Sequence, residues 1–232
     1  EYSGYKATRK GMPPELSQQV EPLKKLLTLL GYKVVSCEGY EADDILGTLS
    51  AHANDLGEDV LSLIMTGDKD SLQLINDKTA VLLATNADYI YFDREAFREK
   101  YGVDPEQFVD VKAIMGDSSD NIPGVAGIGP KTATDLLVKF GSLDGVYANL
   151  EDTSIRPKLR EKLEAGRDSA YLSYDLATIC CEAPIDFEPK DALVMPYNRP
   201  ELYQLFTRLE FVRLIDKYGL RGAGEALAKA EK

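Results

Sequence analysis

Val60-Leu61-Ser62-Leu63-Ile64-Met65 is a near-continuous apolar run, and Thr66-Gly67-Asp68-Lys69-Asp70 follows it directly. An apolar run of this length without alternation reads as a strand buried on both faces, as in a parallel sheet. Helical patterns flank it. Upstream, 41–56 reads as an amphipathic helix entered from Gly39-Tyr40 and closed by Gly57, and Lys33-Val34-Val35-Ser36-Cys37 before it reads as a short strand. Further upstream, Leu16, Val20, Leu23, Leu26, Leu27 and Leu30 fall at helical spacing over 15–30, and Gly31 ends that helix. The polar stretch 1–14, with its Pro13-Pro14 pair, reads as a mobile lead-in. Downstream, 68–75 reads as a short helix. Strands are expected over 80–84 and 89–92 around an Asn86-Ala87-Asp88 turn, a hairpin at the sheet edge. Alternating β and α segments imply an α/β layer structure with a mostly parallel sheet.

After Asp104 the strand signals stop. Helices are expected over 105–115, 130–140, 142–150, 156–165, 168–179, 200–209 and 211–218. The helix over 130–140 has Pro130 at its first position and Gly141 just past its end, the asymmetry of a well-defined helix. The division expected is an α/β unit over 1–104, a helical unit over 105–221, and a tail over 222–232 that has no core face and reads as disordered. No repeat or low-complexity linker separates the units, so two subdomains sharing a face are expected.

The composition, 44% hydrophobic and 28% charged over 232 residues, is that of a globular chain able to bury one good core or two small ones. No apolar run approaches the roughly eighteen residues of a membrane span. No secretory signal opens the chain. Cys37, Cys180 and Cys181 make neither a disulfide framework nor zinc spacing, so a reducing, cytoplasmic setting is expected. The net charge of -12 weighs against a nucleic-acid partner. Clustered carboxylates that bind cations concentrate negative charge locally, however, and weaken that objection. The start at Glu1 rather than Met reads as a fragment or a processed product.

Three acidic groups carry the chemistry. Glu41, Asp43 and Asp44 stand at the start of a helix, with Glu41 and Asp44 on one face. Asp68 and Asp70 follow the apolar strand at its carboxyl end, the edge where open α/β sheets hold ligands. Asp117 and Asp120 follow another apolar segment. Oxygen ligands without His or Cys suit Mg²⁺ or Mn²⁺ rather than zinc. Each group has a plainer reading beside it: acidic residues favour the first turn of a helix, and Asp68 or Asp117 could simply cap one. In Ile122-Pro123-Gly124-Val125-Ala126-Gly127-Ile128-Gly129-Pro130-Lys131-Thr132-Ala133, three glycines allow tight turning and close approach ahead of a helix N-terminus. Free N–H groups there, with Lys131, suit a DNA backbone phosphate without base reading. A plain helix–turn–helix corner is the alternative. Tyr5-Lys6-x-x-Arg9 could stack a base and hold phosphates, or be a solvated loop. His52, the single His, reads as a surface or half-buried residue on a helix.

Tyr5-Lys6-x-x-Arg9, Gly39-Tyr40-Glu41-Ala42-Asp43-Asp44, Thr66-Gly67-Asp68-Lys69-Asp70 and Met115-Gly116-Asp117-Ser118-Ser119-Asp120-Asn121-Ile122-Pro123-Gly124 together resemble the bacterial 5′ nuclease family, and most of all the 5′-3′ exonuclease domain of DNA polymerase I. The resemblance covers nearly the whole chain in order. It implies a flap endonuclease-like fold: a parallel sheet core with helices on both faces, an arch segment, and a helical subdomain with a helix-hairpin-helix variant that grips duplex DNA and can hold K⁺. It implies Glu41, Asp43, Asp44, Asp68, Asp70, Asp117 and Asp120 as ligands of two or more Mg²⁺ or Mn²⁺ ions. It implies Lys6 and Arg9 as catalytic contacts to the scissile phosphate region. DNA contacts are implied at Tyr5, Lys6, Arg9, Gly124, Gly127, Gly129, Lys131 and Thr132. The implied activity is hydrolysis of DNA and RNA-primer phosphodiesters at branched or nicked duplexes with a free 5′ end, in replication and repair. The implied setting is a monomer near the nucleoid, free of membranes, in a natural chain that also carries a polymerase domain. The family has a further segment ahead of the position matching Glu1, with the first strand of the sheet and two more aspartates. The expectation is that this chain alone is impaired, and that a non-catalytic DNA-structure-binding fragment is the alternative.

Overall fold

In the computed structural model, which describes residues 4–7, 9 and 11–222, the apolar run becomes strand β1, Ser62–Thr66. β1 pairs in parallel with β2, Thr79–Ala84, from Ser62 opposite Thr79 to Thr66 opposite Leu83. β2 pairs antiparallel with β3, Tyr89–Phe92, from Val81 opposite Phe92 to Ala84 opposite Tyr89. The α/β class holds, in a small sheet of order β1-β2-β3 with one parallel and one antiparallel pair. The expected hairpin is present: Thr85 N–H and hydroxyl both donate to Asp88 O, at 2.8 and 2.6 Å.

Two strand expectations need correction. β1 is not buried on both faces: Ile64 is 5% exposed, whereas Leu63 and Met65 on the other face are 57% and 62% exposed. The side chains alternate as in any strand, so the unbroken apolar run recorded composition and not two-sided cover. The stretch 33–37 forms no strand; it runs irregularly between α1, Pro14–Leu29, and α2, Ala42–Asn54, with Val34 41% exposed. A strand there has no ladder to join, and β-branched composition alone does not make one. A helix that periodicity did not reveal, α3, spans Arg94–Tyr101. Asp93 caps it by accepting from Ala96 N, and Gly102 closes it in the left-handed region at φ 74°. Its composition is almost wholly polar, with Phe97 its one buried residue, so hydrophobic spacing was silent.

The remaining helices follow the expected order. After a 3₁₀ turn at Pro105–Gln107 come α4 (Phe108–Met115), α5 (Pro130–Phe140), α6 (Leu143–Ala148), α7 (Pro157–Ala165) and α8 (Arg167–Ala177). α4 packs against both α5 and α8. Every residue from Phe108 to Ile114 is buried, as expected of a helix enclosed on all sides. Phe97 is fully buried, stacked on Tyr101 at 4.7 Å and edge-on to Phe108 at 5.3 Å. Burying a ring of this kind contributes about 1.5–3 kcal/mol. The cluster runs without a break from Ile64 and Val81 through Phe97, Phe108 and Ile114 to Leu137, Val146 and Leu163. Sheet and helices therefore share one core across residue 104.

By packing, the chain groups into two units. One unit holds the described residues within 1–10 together with 37–186, and the other holds 11–36 together with the described residues from 187 onward. In the second unit α1 packs with α9, Arg199–Arg208. With α10, Val212–Lys217, these helices enclose Leu29, Leu202, Leu205, Phe206, Ile215 and Leu220. Gly31 ends α1 as expected, at φ 88°, where a Cβ would stand 1.8 Å from Met195 O. Of the tail expected over 222–232, residues 223–232 lie outside the described residues. Among the described residues no helix is long and apolar enough to cross a membrane.

Candidate functional site

The carboxyl end of β1 delivers Asp68 and Asp70. Asp68 sits two residues past Thr66 and caps the 3₁₀ turn Lys69–Leu74, its side chain accepting from Asp70 N at 3.0 Å. Glu41 stands at the N-cap of α2 and forms a reciprocal capping box with Asp44, whose Oδ2 accepts from Glu41 N at 2.9 Å. The other oxygen of Asp44 accepts from Cys180 N at 2.9 Å. Both oxygens of Asp44 are thus occupied in fixing backbone. Asp43 points the other way and accepts from Ser71 Oγ at 2.9 Å, tying α2 to the 3₁₀ turn.

Asp117 and Asp120 lie on a tight loop after α4. Asp117 and Ile122 exchange backbone hydrogen bonds of 2.9 and 2.8 Å, an isolated antiparallel bridge, and Asn121 between them takes φ 58°. Asp117 Oδ1 accepts from Ser119 N at 2.9 Å. The loop also holds the chain's lead-in. Lys6 N–H donates to Asp120 O at 2.9 Å, and Asn121 Nδ2 donates to Gly4 O at 2.7 Å. Residues 4–7 of the lead-in thus pack on this loop, with Lys6 at φ 53°. Lys6 Nζ pairs with Glu41 and stands 3.9 Å from Asp120, and Arg9 pairs with Asp120, which is 4% exposed.

A pocket of about 230 Å³ is lined by Tyr5, Lys6, Glu41, Asp43, Asp44, Asp68, Asp70 and Asp120, and closed by residues 175–179 at the end of α8. Six of the seven expected carboxylates line it. The seventh, Asp117, is joined to Asp70 through a residue that sequence reasoning missed: Lys112 of α4 donates to Asp70 Oδ1 and, at 3.0 Å, to Asp117 Oδ2. Its signal was faint, a single Lys inside Val109-Asp110-Val111-Lys112-Ala113-Ile114. Ser71 and Asp175 were likewise not foreseen. Among the described residues, no three Asp, Glu, His or Cys side chains yet close around a point as ligands of one ion. The chain's own cations stand in the gaps: Lys6 at Glu41, Arg9 at Asp120, Lys112 at Asp70 and Asp117. The donor chemistry, carboxylate oxygens alone, fits hard divalent ions such as Mg²⁺ or Mn²⁺.

The electrostatics follow from burial and crowding. Burial raises the Asp43 carboxyl; the Ser71 hydrogen bond opposes this, while the Asp68 and Glu41 charges add to it. Burial likewise raises Asp70 beyond what Lys112 returns, with Asp68 and Asp117 adding. Asp117 goes down: burial pushes it up, but hydrogen bonds from Ser119 and Lys112 outweigh that. Burial opposes the charge on Lys112, yet Asp70 and Asp117 raise it and keep it an ammonium. Lys6 is raised in the same way, its burial offset by Glu41 and Tyr5. A cation inside this pocket stabilises it, which is the property a divalent ion would exploit.

The glycine-rich stretch is a second feature. Gly129 is exposed and extended at the N-cap of α5, with open space where a Cβ would go. Gly127 is exposed at φ 74°, and its carbonyl accepts from Lys162 Nζ at 2.7 Å. Gly127 borders a groove of about 660 Å³ with Lys131, Thr132, Lys139, Arg156, Lys158 and Lys162, against the single acid Asp135. In a chain of net charge -12 this is a local cationic surface. Gly124 differs from the expectation of a DNA contact: it is buried, its N–H donates to Ser173 Oγ at 2.9 Å and its O accepts from Ser169 Oγ at 2.7 Å. Neither group is left for a phosphate. Arg156, Lys158 and Lys162 carry no motif in the sequence, and only the fold brings them to the groove.

Comparisons with known proteins agree on one family. Residues 1–102 match the model described as the N-terminal resolvase-like domain of 5′-3′ exonuclease, and residues 103–200 match the C-terminal SAM fold of 5′-3′ exonuclease. The chain is 42% identical over 224 residues to DNA polymerase I of Caldicellulosiruptor bescii, covering 95% of this chain and 26% of that protein. It is 40% identical over 220 residues to DNA polymerase I of Bacillus subtilis, covering 94% of this chain and 25% of the relative. The chain thus spans about a quarter of the length of these relatives. Among solved structures, a bacteriophage T5 5′-exonuclease with bound divalent metal ions (zinc) aligns with a TM-score of 0.63 at 25% identity, over 77% of this chain and 68% of that one. A bacteriophage T5 flap endonuclease in a pseudo-enzyme-product complex with DNA and metal ions aligns at 0.60 and 26% identity, over 77% and 69%. The catalytic core of Rad2 with DNA substrate aligns at 0.57 and 19% identity, over 87% and 67%, which speaks for the fold alone.

Proposed function

The chain belongs to the 5′-3′ exonuclease family, and from that premise we propose that it is the nuclease unit of a metal-dependent 5′-3′ exonuclease and 5′ flap endonuclease. Its substrates are nicked or branched duplexes with a free 5′ end, RNA primers on DNA included. The natural protein also carries a polymerase domain and works in the cytoplasm at the nucleoid. The observation that carries this reading is the convergence of six carboxylates from three separated motifs on one pocket beside Lys6. A binding module gains nothing from such a concentration of negative charge near phosphates.

Glu41, Asp43, Asp68, Asp70, Asp117 and Asp120 would hold divalent ions, Mg²⁺ or Mn²⁺. When bound, such ions activate water and stabilise the leaving 3′ oxygen of a phosphodiester. Asp44 serves by fixing backbone: it locks Glu41 at the head of α2 and anchors Cys180. Lys6, half-buried beside Glu41, supplies positive charge where negative charge develops on the phosphate. Arg9 neutralises Asp120 and adds to the same cationic rim. No His lines the pocket. The cationic groove beside Gly127 and Lys131 holds duplex backbone, which positions without reading sequence. The test is cleavage of a 5′-labelled flap substrate by the natural protein with this segment, with Mg²⁺ and with chelator. Product that requires Mg²⁺ is expected; binding without any cleavage would leave a DNA-structure-binding module.

Gly129→Val separates ligand approach from folding. The position is extended and its Cβ direction is empty, so unfolding should change only by the N-cap preference of Gly over Val, about 1 kcal/mol. Duplex affinity is expected to fall by a similar factor for every sequence, measured by fluorescence anisotropy on several duplexes. A loss confined to one sequence would contradict backbone recognition.

A further inference from the structure

α4 is buried from Phe108 to Ile114, and in the middle of that apolar run stands Lys112, 3% exposed. Its Nζ donates to Asp70 Oδ1 and to Asp117 Oδ2, the latter at 3.0 Å, with the Phe108 ring centroid 5.6 Å away. A buried ammonium is tolerated only when it is paired and hydrogen-bonded. Here it is paired twice, and its two partners come from different motifs. Asp70 follows β1 and Asp117 follows α4, so nothing local in the sequence brings them together. The ammonium does, and it stands between their oxygens where a cation shared by the two would stand.

We infer that Lys112 is a positioning residue of the ion site, a fixed internal cation that holds Asp70 and Asp117 on one point and lowers the affinity of that point for a divalent ion. The inference rests on the reading of these carboxylates as ion ligands. Two consequences follow from charge alone. Without a divalent ion, Lys112 stops two half-buried carboxylates from repelling each other and keeps the site assembled. With one present, the ammonium and the ion compete for the same oxygens. Like charges a few ångströms apart in a partly buried site repel strongly enough to change an affinity by about tenfold or more.

The test is Mn²⁺ titration of this chain by calorimetry and electron paramagnetic resonance, alongside thermal unfolding with and without Mn²⁺. Lys112→Met and Lys112→Gln remove the charge, and the Gln amide still donates to a carboxylate, so it carries the test if the Met variant does not fold. Lys112→Arg retains the charge. Both neutral variants are expected to bind Mn²⁺ at least about tenfold more tightly than the parent. They should also melt at lower temperature without the ion and regain more on adding it. The Arg variant should bind as the parent does. If the parent binds Mn²⁺ and the neutral variants bind it equally or more weakly, the inference is overturned while the ion site stands. A melting loss of the same size with and without Mn²⁺ would show a plain structural ion pair and overturn it too. If neither parent nor variants bind Mn²⁺, the inference falls together with the ion site.

Discussion

Asp68→Asn is expected to reduce flap cleavage in Mg²⁺ by more than about a hundredfold, the scale reached when even the partner of a metal ligand is lost, while duplex binding stays the same or tightens. The substitution is nearly isosteric, and the local structure should survive it. Asp68 caps the turn Lys69–Leu74 through one oxygen that accepts from Asp70 N, and an Asn side chain offers the same acceptor. Only the charge goes. Asp68 also pushes up the carboxyls of Asp43 and Asp70 by like-charge repulsion, so its removal relieves strain in the ion-free site. Unfolding should therefore be unchanged or slightly harder, and a fall in rate cannot be put down to loss of fold. Taking one negative charge from beside the bound phosphates should not weaken binding. Single-turnover cleavage, anisotropy with the same flap and a melting curve together make the test. Turnover close to the parent's in Mg²⁺ would mean that Asp68 caps a turn and does nothing more.

Both readings of Asp68 were open in the sequence, cap and ion ligand; in the structure one of its oxygens caps the turn, and the residue lines the carboxylate pocket. The acidic groups were legible because each sits at the end of an element whose boundary is sharply marked, β1 by its apolar run and α2 by Gly39-Tyr40. Among the later helices α5 and α7 were legible for the same reason, with Pro at the start and Gly at the end, and the others by their periodic apolar residues. Pairing partners were not legible. Leu63 and Met65 look in sequence like core residues, and only the sheet shows that their face is uncovered. α3 hid because one buried Phe97 gives no period. Lys112 hid because its partners lie 42 and 5 residues away on other elements, and a lone Lys in an apolar helix resembles a surface position. The glycine string showed where the backbone must turn, but not which glycines face solvent and which are pressed against other backbone.

Gly124→Ala tests that last distinction and is expected to destabilise the fold by about 2–5 kcal/mol, from left-handed strain of about 1–2 kcal/mol and overpacking of about 1–3 kcal/mol. Gly124 takes φ 61°, in the region that penalises any Cβ. A Cβ there would stand 2.2 Å from Gly116 N, 2.6 Å from Gly116 Cα and 2.7 Å from the Met115 carbonyl carbon. All three are backbone atoms at the end of α4 and cannot rotate away as a side chain could. Gly116 faces the same constraint from its own side, at φ 76° with a Cβ position 2.8 Å from Ile122 O and Pro123 O. The two glycines thus let two backbone segments touch. Val125 N–H bonds to Ile114 O at 2.8 Å just beyond the contact, and Ser173 and Ser169 of α8 take both polar groups of Gly124. Forcing the segments apart would break these bonds and move Asp117 and Asp120, which lie on the loop between. Small domains hold only about 5–15 kcal/mol in all, so the midpoint of urea unfolding should fall steeply and Mn²⁺ binding should weaken with it. Gly129→Val, five residues along the same string, should move that midpoint far less. Equal midpoints for Gly124→Ala and the parent would mean that the contact between the two segments yields, and that the glycine is there for a ligand after all.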